Sequence, residues 1–150
     1  MDRAQEVEDL VKGLLRIRGF AEATRVACFA GGRIDWAVLL RDTQDAAHTA
    51  GNIVPNLQRL FPEQERALVP FGLSMAFALR SAELMIARYA MLLDAKAEDM
   101  SVDGHFNVIH KHMNSSRNSI GAFCREAREA AHIAQFLINR IDGVRLAKSA

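Results

Sequence analysis

The residues best equipped for chemistry in this 150-residue chain are its five histidines. Two of them, His110 and His112, stand one residue apart in the stretch NVIHKHMNSSRNSIGAF, residues 107–123. In a helix, side chains two positions apart point in different directions, so this pair is poorly placed to hold one metal ion. His105 and His110, five apart, are no better placed. A helical metal site wants ligands three or four apart, and the chain has neither a CxxC nor an HExxH pattern. No metal and no cofactor is expected, and the two neighbouring histidines read as ordinary residues beside a core stripe.

The same stretch resembles histidine-phosphotransfer domains. These place an exposed histidine on a helix of a four-helix bundle, followed by a lysine, small residues and a glycine. His110 is followed by small residues and Gly121, while Met113 stands where the lysine would be. AHTAGNIVPNL around His48 is a second match of this kind. The resemblance implies His110 or His48 as a phosphate carrier.

A different constellation lies further along. Asn118, Arg125, His132 and Asn139 recur every seven residues and share one helical stripe. Arginine can hold a phosphate and histidine can move a proton near neutral pH. The spacing of Arg125 and His132 resembles the motif of HEPN-type helical ribonucleases, which pair such motifs across a dimer. The resemblance implies Arg125 as anion holder and His132 as acid/base. Those enzymes usually carry a small polar residue after the arginine; here it is Glu126, which repels phosphate.

Other chemistries find little support. AGGR is a turn, not a phosphate loop, and there is no GxSxG. Cys28 and Cys124 sit among apolar residues and read as small packed hydrophobes. Two cysteines this far apart give no disulfide framework and suit a reducing cytoplasm. The acidic, amphipathic start MDRAQEVEDL is unlike a signal peptide. Net charge is +1, so nucleic-acid binding is possible but not indicated. The most apolar run, residues 68–93, carries Arg80, Glu83 and Arg88, and reads as a buried helix rather than a membrane span.

The elements that would position these residues are helical. Residues 3–18 form a first helix, with Asp2 as cap, Gln5 three residues on and Gly19 as stop. For residues 24–40 two readings stay open: a hairpin around Gly31-Gly32, or helices, which the alanine-rich 33–50 segment favours. Gly51-Asn52 should end that segment, and Pro55, Pro62 and Pro70 should mark helix starts. A long helix is expected at about 71–97, most of its circumference apolar. From Phe106 to Val144 apolar and small residues alternate by three and four, an a/d seam over more than five heptads. This predicts a helix over about 106–141, with a possible break near Gly121.

The expected fold is thus a single all-α domain over 1–150, a bundle of about five or six helices with helices 71–97 and 106–141 as its spine. Those two would run on the order of 40 and 50 Å at 1.5 Å per residue, longer than a 150-residue globule covers throughout. The expected function is association: a homo-oligomer, or a helical subunit or adaptor of a larger assembly, with no enzyme activity required. The seam residues Phe106, Ile109, Met113, Ile120, Phe123, Leu137 and Ile141 are the expected interface.

Overall fold

The structure is a computed structural model that describes the backbone of residues 2–29, 34–99 and 106–149, with side chains for 2–29, 34–91 and 120–147. It contains four α-helices: α1 (Arg3–Phe29), α2 (Trp36–Leu60), α3 (Glu65–Asp99) and α4 (Phe106–Ser149). A short 3-10 turn, Pro62–Gln64, leads into α3. No strand occurs among the described residues.

The all-α class holds, but the helix count is four rather than five or six, because the expected breaks lie inside helices. Gly19 falls in the middle of α1, so Arg16 and Arg18 are mid-helix rather than terminal. Gly51 and Pro55 both lie within α2, and Pro70 within α3. A glycine costs a helix only about 1 kcal/mol, and tertiary packing overrides that. Pro55 forgoes the hydrogen bond to the Gly51 carbonyl, which is tolerable because both residues are exposed. The hairpin reading of residues 24–40 is displaced, since α1 stays helical through Phe29 and α2 begins at Trp36. Gly31-Gly32 itself lies outside the described residues. Gly121 does not interrupt α4.

Two caps fix the helix starts. The Asp2 carboxylate accepts the Gln5 N–H at 2.8 Å, as the sequence suggests. Asp35 does the same for α2, accepting from the Val38 N–H at 3.2 Å.

Each helix turns a three-and-four stripe inward. On α1 it is Val7, Leu10, Leu14, Ile17 and Thr24. On α2 it is Leu39, Thr43, Ala46, Ala50, Ile53, Leu57 and Leu60. On α4 the described part of the seam, Phe123 to Ile141, is buried as its spacing demands. Neighbouring helices run antiparallel. Arg3 near the start of α1 donates to the Leu60 carbonyl at the end of α2 at 2.7 Å, and Glu6 pairs with Arg59 at 3.0 Å. Trp36 stacks on Tyr89, and Phe71 on Phe136, with ring centroids 4.4 and 4.3 Å apart. Contacts join α1 to α2, α2 to α3, α3 to α4 and α4 to α1, which closes an up-down-up-down four-helix bundle.

Among the described side chains the core divides into two clusters. A large cluster contains Leu14, Ile17, Ala50, Leu57, Met75, Leu79, Ala134 and Leu137. A much smaller one fills the other end with Leu39, Ala82, Ile86 and Phe123. Partly buried Phe20, Cys28, Trp36, Tyr89 and Cys124 complete that end.

Candidate functional site

The sequence-derived candidates scatter over the bundle. Arg125 and His132 are both exposed on α4, on the side away from its buried seam. Seven residues of helix separate them by about 10 Å. Glu129, three residues before His132, is exposed beside it, a spacing that suits a pair of metal donors. No third metal-binding side chain joins a cluster among the described residues. The next residues along the stripe are engaged: Gln135 accepts from Arg18 of α1 at 2.5 Å and donates to Asn139 at 2.9 Å. Arg125 and His132 therefore lie on a convex helix face, where a polyanion can rest but substrate is not enclosed.

His48 is exposed on α2, its Nε2 3.3 Å from the Asn52 amide nitrogen. The side chains of His110, Asn118, Phe106, Ile109 and Met113 lie outside the described ones. The remaining expected interface residues have another use. Phe123, Leu137 and Ile141 are fully buried in the chain's own core, and Ile120 packs against the smaller cluster. An a/d seam demands a neighbouring helix, and here α1 and α3 of the same chain supply it.

Concave surface occurs between α1 and α2. One groove of about 410 Å³ is lined by Glu6, Asp9, Lys12, Arg16, Asn56 and Arg59 among others. A second, about 390 Å³, adjoins it at Arg16 and Thr49 and takes in Asp42 and Asp45. Opposite charges line the first groove and partly satisfy one another, as Glu6 and Arg59 do.

The surface that departs most from an ordinary helix exterior is the outer face of α3. Leu73, Phe77, Leu84 and Met91 are 56, 73, 57 and 71% exposed. With Pro70 they occupy an arc of about 60° opposite the buried side chains Leu68, Met75, Leu79, Ala82 and Ile86. Arg80 and Arg88 are the cations on this face, and Arg80 pairs with Glu83 at 2.6 Å. By length and composition, Pro62–Met91 is also apolar enough to cross a membrane, with a mean hydropathy of 1.3.

Among known proteins, no family model, no curated protein and no solved structure matches the chain.

Proposed function

We propose that the protein acts by association, and that its outer α3 face docks against the same face of a second copy. The observation that carries this reading is the stripe Leu73, Phe77, Leu84 and Met91, apolar and uncovered for most of its length. Side chains of this size, exposed to this degree, present on the order of 500 Å² per copy. Two such faces together reach about 1,000 Å², the area a specific interface needs at minimum.

The stripe is self-complementary. Consider α3 antiparallel to its copy, about an axis between Arg80 and Ser81. Phe77 then faces the partner's Leu84, and Pro70 faces the partner's Met91. Leu73 lies under the aliphatic stem of the partner's Arg88. Glu83 already neutralises Arg80 near the axis. A bilayer would instead have to bury both arginines, at about 2.5 to 3.5 kcal/mol each near its centre. The charges on the stripe thus favour a second copy over lipid.

The test is the double variant Phe77→Glu with Leu84→Glu, compared with the wild type by sedimentation velocity. Both positions are exposed, so the variant should fold and sediment as a monomer while the wild type dimerises. A variant that still dimerises would overturn the reading. So would a wild type that stays monomeric and floats with anionic phospholipid vesicles.

The ribonuclease reading depends on the same association, because that chemistry uses two copies of the Arg125–His132 pair. It requires His132→Ala to abolish RNA cleavage by a folded protein.

A further inference from the structure

Cys28 and Cys124 are separated by most of the chain, yet the bundle brings them together. Two cross-pairs fix the register of α1 against α4: Glu8 with Arg145 at 3.7 Å, and Arg18 with Gln135 at 2.5 Å. The helices are antiparallel, so each step of ten residues along α1 is matched by ten back along α4. One further step from Arg18 brings Cys28 level with Arg125, the chain neighbour of Cys124. The two thiols are in hydrogen-bonding contact, and both pack against the cluster of Leu39, Ala82, Ile86 and Phe123. Both are free and only half-buried, so a small molecule in water can reach them.

We infer that Cys28 and Cys124 form a reversible intramolecular disulfide that ties the end of α1 to α4 when the protein meets a hydroperoxide. The two residues divide the chemistry between them. The hydrogen bond from Cys124 holds the Cys28 thiol below its ordinary range, while donating that proton holds Cys124 above its own. Cys28 is therefore the thiolate that reacts first. Its sulfur attacks one peroxide oxygen and breaks the O–O bond, giving a sulfenic acid and releasing hydroxide, which takes up a proton as water. Cys124 then loses its proton, and its sulfur attacks the Cys28 sulfur. The S–S bond forms, the S–O bond breaks, and the departing hydroxide leaves with that proton as water. Two thiols are oxidised by two electrons, and one hydroperoxide is reduced. A dithiol reductant reverses the bond by thiol–disulfide exchange.

The consequence follows from position. Cys28 lies in the last turn of α1, and the described buried members of the cluster beneath it are Leu39, Ala82, Ile86 and Phe123. A covalent tie to α4 at that point closes a loop of most of the chain and restrains the end of α1.

The experiment treats the purified protein with stoichiometric hydrogen peroxide at neutral pH, then blocks remaining thiols with iodoacetamide. The expected product is a single chain that has lost two hydrogens and takes no label, with a peptide map joining Cys28 to Cys124. Its Tm should rise by several degrees and return to the original value after dithiothreitol. In Cys124→Ser, the same treatment should leave a Cys28 sulfenic acid that dimedone traps, with no rise in Tm. Disulfides formed only between chains, or two thiols that both remain open to iodoacetamide, would overturn the inference. Because disulfide formation is read on the wild-type chain, a variant that fails to fold does not rescue the idea.

Discussion

At the residue scale, the groups with chemical potential are mostly on the outside, and the one polar anomaly is inside. Thr24 is 1% exposed, and its hydroxyl finds no hydrogen-bond partner among the described residues. Its counterpart Thr43 is equally buried but donates to the Leu39 carbonyl at 2.7 Å. An unsatisfied buried hydroxyl costs about 1–3 kcal/mol, whereas a methyl of the same shape costs nothing in hydrogen bonding. Thr24→Val should therefore stabilise the protein by about 1 kcal/mol, seen as a higher urea midpoint with unchanged slope. Thr43→Val should gain nothing of the kind. Equal effects of the two would show that Thr24 has a partner. His132 is at the opposite extreme. It is exposed and belongs to no enclosed site, so His132→Ala should leave the urea midpoint within about 0.5 kcal/mol of wild type.

At the element scale, the helices are longer than their punctuation suggests, and the glycines show why. Gly19 and Gly51 have open space where a Cβ would sit. They weaken the helix without serving a contact, and alanine at either should stabilise by about 0.5–1 kcal/mol. Gly72 differs. A Cβ there would lie 2.9 Å from Leu57 Cδ1 and 3.4 Å from Val54 Cγ2, where α2 and α3 approach most closely. Leu57 is fully buried and has little room to turn. Overpacking at about 1–3 kcal/mol outweighs the gain in helix propensity, so Gly72→Ala should destabilise by about 1 kcal/mol. Thermal unfolding of the three variants checks the ordering, and a stabilised Gly72→Ala would contradict the close packing.

These contrasts also explain what the sequence could and could not disclose. The inward stripe of α4 is legible in full over its described part, because a three-and-four alternation is a direct image of burial. The N-terminal cap at Asp2 is legible for the same local reason. Helix ends are not, since Gly19, Gly51, Pro55 and Pro70 carry small local penalties that packing of the neighbours overrides. The owner of the seam is not legible either. An apolar stripe looks alike whether the helix facing it belongs to the same chain or another, and Phe123, Leu137 and Ile141 face their own chain. Residues 71–97 gave the more useful hint, an apolar circumference too wide for one core face. That excess is the exposed stripe of α3. The meeting of Cys28 and Cys124 needed the register of α1 on α4, which no local pattern encodes.

At the scale of the whole molecule, the described inward stripes of the helices are buried within the chain, while the outer face of α3 stays apolar and exposed. The proposal assigns that face to a second copy. It separates two kinds of substitution that the sequence alone merges. Phe77→Glu alters a side chain 73% exposed and should change assembly with little loss of fold. Phe123→Glu places a charge in a fully buried position of the smaller core and should unfold that end whether or not a dimer forms. Far-ultraviolet circular dichroism should show full helicity for the first variant and a loss for the second. Full helicity in both would mean that Phe123 is not core.

The most direct measurement is light scattering on the wild-type chain after gel filtration, repeated over a wide range of concentrations. The account predicts a species of twice the 16.6 kDa chain mass at the upper end, dissociating as the protein is diluted. A monomer of 16.6 kDa at every concentration would contradict it.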